Sequence, residues 1–306
     1  VGKKALSEEE IAGDAFLSAA VRFGDTVITR GRDIYGPVKS PMFVRFLHRE
    51  KLRAPASVAS MPPALGGASK PIVQTQFDRT QNLLRTLAGL SSATGNPKYA
   101  EAAMAATAHM FENYVMPHSG LIIFGNHMTI DLAEDRSYSD GRSGDVFELA
   151  NVLPFYDFWY DVAPIQTERF IKGCWEVYVR DWHTMHYNRH ASFNKTIDFS
   201  RTWHRPLAKV EDLPTNMEVL GFTPVGLDLA FGGYSLGCLQ EDPKARAWGD
   251  RYLKVLSYHR DPKTLIWPML LYTPTIRRNL EVYREAFPDA DVTEPRVIIS
   301  SWIYSM

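Results

Sequence analysis

The chain has 306 residues, is 45% hydrophobic and 23% charged, and carries a formal net charge of -1. That balance belongs to an ordinary globular protein. It offers no basic field for nucleic acid, and no apolar run approaches the roughly 18–20 residues that cross a bilayer.

Residues 6–24 read as a helix, with Ser7 and Glu10 at capping-box spacing and Phe16, Leu17 and Ala20 as the apolar face. Residues 25–70, rich in Gly and Pro from Gly31 and Pro37 to Gly66 and Gly67, read as a long loop crossing the scaffold. From Thr75, Phe77, Thr80, Leu83, Leu84, Leu87 and Leu90 recur at helical steps and predict a helix that Gly95-Asn96-Pro97 ends. A second helix starts near Pro97, carries Ala102, Met104, Ala105, Met110 and Phe111, and stops before Pro117, which makes an αα-hairpin. Another pair is predicted over 144–161 and 165–185. A third joins Leu229–Leu239 to a helix carrying Trp248, Tyr252, Leu253 and Leu256, stopped at Asp261-Pro262.

Asn96-Pro97-Lys98 lines up with Asp242-Pro243-Lys244, and His118-Ser119-Gly120-Leu121 with Pro262-Lys263-Thr264-Leu265. Internal repeats of this kind predict stacked helix pairs, running as an open solenoid or closing into an α/α toroid. The fold class is therefore mainly all-α, and Leu121–Phe124 and Val297–Ser300 carry the best strand signals. Cys174 and Cys238, each in an apolar helical setting, read as buried thiols rather than a disulfide. Val-Gly-Lys-Lys at the start does not read as a signal peptide, and the apolar Ser-Trp-Ile-Tyr-Ser-Met at the end reads as part of a longer domain.

The chemistry-bearing residues gather between His127 and His190. His127 follows Gly125-Asn126, Glu148 lies in Asp-Val-Phe-Glu-Leu-Ala-Asn, and His190 is preceded by Arg189. Two imidazoles and a carboxylate can bind a transition metal and leave positions open, and Arg189 would add a fixed positive charge. Glu148 also has a purely structural reading, because an acid in the first turns of a helix is favoured by the dipole alone. Other groupings are less specific. His183, His186 and His190 include an i,i+4 pair. Asp131, Glu134, Asp135 and Asp140 form an acidic loop without the spacing of an EF-hand. Asp145, Glu148, Asp157 and Asp161 supply carboxylate pairs of the kind that hydrolyse glycosides.

The stretches Asp33–Val44, Thr75–Thr94 and Asn188-Arg189-His190, in that order, resemble polysaccharide lyase family 2, the metal-dependent pectate lyases with an α/α barrel. The family's Gly-x-His matches His127, its Glu-Leu-x-Asn acid matches Glu148, and its Arg-His pair matches Arg189 and His190. The chain departs from the family in reading Gly-Asn-His rather than Gly-Gly-His, and in placing Phe147 before the acid. The resemblance implies a single α/α-barrel catalytic domain over 1–306, incomplete at its C-terminal end. It implies a divalent metal held by His127, Glu148 and His190, with Arg189 as the base. Imidazole and carboxylate ligands suit Mn, Co or Ni, and also Zn, better than Ca.

The implied reaction is β-elimination on a polygalacturonate-like anionic polysaccharide, by a periplasmic or secreted enzyme. Arginine is normally a cation, so Tyr187 and His186 stay open as alternative bases. Lys195 and Arg201 are expected to meet uronate charge and Trp203 to stack on sugar rings. Two further readings stand beside this one. The first is a metal-independent lyase for alginate or glucuronan, with Asn126 neutralising the uronate and Tyr and His as acid and base. The second is a non-catalytic helical-repeat protein that binds glycans or another protein.

Overall fold

The structure, a computed structural model, describes residues 5–56, 71–125, 127–139, 146–149, 153–188, 190–192, 194–207 and 223–258, with isolated positions after them up to 288. Among these residues the protein is mainly helical, as the periodicity predicts, and no strand exceeds four residues. The chain divides into two compact units.

The first unit comprises Val1–Met116, Ile122–Val146 and Phe158–Pro164. The helix expected over 6–24 is two helices, α1 (Glu8–Gly13) and α2 (Ala15–Arg30). The Ser7–Glu10 capping box forms, with Glu10 N donating to Ser7 Oγ at 3.2 Å. Asp14 then starts a fresh helix by accepting from the amides of Phe16 and Leu17 at 2.9 and 3.0 Å. A cap of this kind contributes about 1 kcal/mol, which offsets the helical bonds lost at the break. Since α2 runs to Arg30, the long loop begins at Gly31 and not at 25. Phe16, expected on the buried face, is 91% exposed. The buried residue of α2 is instead Gly24, where a Cβ would lie 2.6 Å from Leu90 Cδ1.

The loop is locally built. The buried Asp33 carboxylate accepts from Tyr35 N, Ser40 N and Ser40 Oγ, the last at 2.7 Å; residues 57–70 of the predicted loop lie outside the described ones. The helix expected from Thr75 begins later, because Gln74–Thr75 form β1 and Phe77–Thr80 a 3-10 turn before α3 (Gln81–Thr94). In α4 (Lys98–Asn113) the buried residues are Tyr99, Ala102, Ala103, Ala106, Thr107, Met110 and Phe111. Met104, one of the apolar residues carried by this helix, is 44% exposed, and Ala105 is exposed too. Leu121–Phe124 is buried but makes only an isolated bridge, Val115 to Ile122, rather than a strand.

The sheet of this unit comes from residues that sequence periodicity did not mark. β2 (Met128–Asp131) pairs antiparallel with β1 and with β3 (Arg136–Ser139). The expected acidic loop is the turn of that hairpin. Asp131 accepts from Ala133 N and Glu134 N, Glu134 pairs with Arg136, and Asp135 accepts from Val38 N. Its acids are thus occupied by the fold, while Asp140 lies outside the described residues. Phe77, Phe111 and Phe124 surround Trp159, each with ring centroids 5.5 Å from it.

The second unit comprises Pro117–Leu121, Phe147–Asp157 and Ile165–Met306. Within the span 144–161 expected to be helical, the described residues form β4 (Val146–Phe147) and the short α5 (Tyr156–Val162), with 148–149 and 153–155 outside any helix. The helix expected over 165–185 is α6 (Pro164–Tyr178), followed by a hairpin of β5 (Val179–Asp181) and β6 (His186–Tyr187). Asp181 drives that change. Its carboxylate accepts from His183 N and Thr184 N, at 2.8 and 3.2 Å, and turns the chain back. A short strand, β7 (Ala191–Ser192), pairs with β4.

The last helix pair is α7 (Thr223–Leu239) and α8 (Pro243–Tyr258). Its start repeats that of α4: Asp242 Oδ1 accepts from Lys244 N at 2.8 Å, as Asn96 Oδ1 accepts from Lys98 N at 3.1 Å. Trp175 is the centre of this core, with Trp203, Tyr252 and Trp248 rings 5.1, 5.2 and 6.3 Å away. Cys174 is buried, but Cys238, expected to be buried, is exposed; neither is in a disulfide. Val297–Ser300, the other strand signal, lies outside the described residues.

Two helical glycines yield opposite expectations. A Cβ on Gly173 of α6 would sit 2.4 Å from the Ser119 carbonyl oxygen, whereas nothing lies within 4 Å of one on Gly89 of α3. Gly89→Ala should raise stability by about 0.5–1 kcal/mol, and Gly173→Ala should lower it by roughly 1–3 kcal/mol. Urea unfolding of the two variants, compared with the parent, measures both signs.

Candidate metal centre

Glu148 and His190 are brought together by strand pairing. Glu148 directly follows β4 and His190 directly precedes β7, its partner strand. Glu148 therefore lies just after a strand and in no helix, and the helix-dipole explanation for it does not apply. Tyr178, the last residue of α6, fixes both. Its phenol oxygen accepts the Leu149 amide at 2.7 Å, beside Glu148. Its carbonyl accepts Asn188 N at 3.1 Å, and Asn188 Oδ1 in turn accepts His190 N at 2.9 Å. The outcome is a Glu148 side chain 3% exposed, with its Oε2 3.7 Å from His190 Nε2. Two donors on one ion at about 2.1 Å are roughly 3.4 Å apart in tetrahedral geometry, so this spacing is close to that of two ligands.

His127 is positioned by a turn. Gly125 has φ +112°, a conformation that favours glycine. Its carbonyl accepts Met128 N at 3.2 Å and Gln76 Nε2 at 3.2 Å. This is the physical reason for glycine two residues before the histidine: the chain must turn there to enter β2. Asn126, between them, lies outside the described residues. Among the described residues, His127, Glu148 and His190 are the one group of three His, Cys, Asp or Glu side chains that could hold a metal ion, with ligand atoms within 4.8 Å of one another. Two neutral nitrogens and one carboxylate oxygen fit a divalent transition ion.

The profile of the family described as periplasmic pectate lyase matches residues 68–280, well over half of the chain and inclusive of all three side chains. The chain belongs to the periplasmic pectate lyase family. A pectate disaccharide-lyase of Dickeya dadantii (strain 3937) is 30% identical over 195 residues, 62% of this chain and 36% of that protein. The chain thus spans little more than a third of that relative's length. No described helix is long and apolar enough to cross a membrane.

The remaining expected site residues fall in varied places. Tyr187 is fully buried, packed on Tyr252 with centroids 5.4 Å apart and against Gly226. Burial pushes its phenol far above the usual range. His186 is half-buried in β6 and His183 is exposed in the turn, so with His190 they share no helix face. Asp157 and Asp161 are exposed on α5. Trp203, expected as a stacking platform, is 3% exposed and part of the Trp175 cluster, because its ring fills the core beside α8. Arg201 is exposed, and its carbonyl accepts from His204 N and Arg205. Lys195 donates to the Glu176 carbonyl. Arg189 and Asp145 lie outside the described residues.

Sequence reasoning missed Arg205. It holds both oxygens of the buried Glu176, at 2.6 and 2.9 Å, and lies 4.0 Å over the Trp182 ring. No motif marks it; the two partners are far apart in sequence. Arg205→Ala should lower stability by about 2–3 kcal/mol, less than the roughly 3–5 kcal/mol of a fully buried pair because the arginine is partly exposed. Adding Glu176→Gln should recover part of the loss, since no charge then stays buried alone. A double-mutant cycle by denaturant unfolding checks both.

Proposed function

We propose that this chain is the catalytic part of a lyase that cleaves polygalacturonate by β-elimination, with His127, Glu148 and His190 holding a divalent transition metal and Arg189 acting as base. The observation that carries the reading is the donor set, His127, Glu148 and His190, in a chain of this family. The family description and the name of the Dickeya dadantii relative support pectate as substrate and the periplasm as location.

The proton on C5 of a uronate is weakly acidic, because the adjoining carboxylate is already negative. A divalent cation, when bound, stabilises the second negative charge that develops on that carboxylate. Arg189 takes the C5 proton, and the C–H electron pair becomes the C4–C5 double bond. The C4–O bond breaks, and the departing oxygen keeps its pair and takes a proton from solvent. Products are a new chain end and an unsaturated uronide. For Arg189 to serve, its guanidinium must be neutral for part of the time. Nearby positive charge and dry surroundings favour that form. Tyr187 is the weaker base for this role, since its buried phenol holds its proton.

Two outcomes test the proposal. Chelation should abolish formation of the ultraviolet-absorbing unsaturated product from polygalacturonate, and Mn, Co or Ni should restore it. Full activity in protein shown metal-free by elemental analysis would refute the metal role. Arg189→Lys should lose about 10²–10⁴-fold in kcat at neutral pH. It should recover part of that as pH rises, because lysine releases its proton more readily than arginine. A kcat within roughly tenfold of the parent, with a raised KM, would make Arg189 a carboxylate binder instead.

A further inference from the structure

The imidazole of His127 is carried by a tight turn whose first carbonyl has two donors. Met128 N closes the turn on the Gly125 carbonyl at 3.2 Å, which places His127 between the two ends of that bond. Beyond Met128 the chain is held by β2, where Ile130 pairs with Thr75 and Thr129 Oγ1 donates to the Thr75 carbonyl at 2.6 Å. The second donor to Gly125 is a side chain, Gln76 Nε2, also at 3.2 Å. The same nitrogen donates to Asp78 Oδ2 at 3.4 Å. Both partners are acceptors, so the nitrogen end of the amide must face them. Gln76 and Asp78 are each 1% exposed. All of these residues belong to the first unit.

Folding alone gives little reason for a glutamine at this position. The Gly125 carbonyl already has Met128 N, and Gln76 Oε1 is buried without a hydrogen-bond partner among the described residues. A buried amide oxygen left in that state costs stability, and an apolar side chain of the same length would avoid the cost. Such a side chain could not hold the Gly125 carbonyl. We propose that Gln76 is a positioning residue for His127: its amide pins the turn at a glycine whose φ is +112°, so that the imidazole is presented to a metal in one orientation. The inference rests on the metal-dependent reading above and adds a residue to it. Glycine is the least restrained residue of a chain, and a ligand that swings on it loses affinity because that freedom is given up on binding.

The test compares Gln76→Met and Gln76→Asn with the parent, using Mn and Co as probes. Met keeps the length of the side chain and removes its polar end; Asn keeps the amide but withdraws it from the reach of Gly125. Mn affinity is titrated by calorimetry, and stability is measured by urea unfolding of chelated protein. Mn should bind each variant about tenfold or more weakly, the scale expected when a group that supports a ligand is lost. The visible absorption of bound Co, which follows ligand geometry, should change with the substitution. Metal-free Gln76→Met should keep a urea midpoint close to that of the parent, because the bonds it loses are offset by removal of the unpartnered oxygen. A lowered midpoint with Mn affinity within about twofold of the parent and an unchanged Co spectrum marks a purely structural residue and overturns the proposal. Loss of folding in both variants does so as well, since glutamine is then required by the fold itself. A parent protein that binds neither ion overturns the metal reading, and that result is separate because it is read before any substitution.

Discussion

Tyr178 ties Glu148 and His190 to the end of α6. Its phenol oxygen holds the Leu149 amide, and its carbonyl holds Asn188, whose side chain fixes the His190 amide. The ring is itself fully buried, so both attachments start from a point that packing does not allow to move. Strand pairing of β4 with β7 then sets the two side chains opposite each other. A ligand set needs this kind of support, because a donor displaced by about 1 Å no longer serves the same ion.

Charge explains what surrounds that point. A carboxylate that is only 2% exposed, as Glu148 is, costs several kcal/mol unless positive charge compensates it. A bound cation would supply that compensation. Nearby in the chain, Glu176 is neutralised by Arg205 in a two-bond fork. The second unit thus holds one buried acid suited to a metal and a second that an arginine already neutralises.

The α7–α8 pair packs closely through small residues. Gly233 on α7 faces Ala245 and Gly249 on α8 closely, its Cβ position lying 3.2 Å from the Ala245 carbonyl. Close approach there brings Trp175, Trp248 and Tyr252 into edge contacts. That same cluster takes in Trp203, so an aromatic that might have served a sugar instead serves the core. The aromatic wealth of the chain is a property of its interior as much as of any cleft.

By itself the sequence determined the features that depend on neighbours along the chain. The Ser7–Glu10 capping box forms, the Leu84, Leu87 and Leu90 stripe is buried, and the Asx-Pro-Lys starts of α4 and α8 have the same hydrogen bond. Gly-x-His was legible for the same reason, since a glycine φ of +112° is a local requirement. Tertiary structure decided the rest. Asp14 and Asp181 broke predicted helices because their side chains capped amides that a period cannot foresee. Glu148 left its expected helix because β7, far along the chain, offered a strand partner. Phe16 and Trp203 exchanged the expected roles of core and surface. Hydrophobic period states that one face is apolar, but only the packed chain settles which apolar groups are covered and which acids have already found their cations.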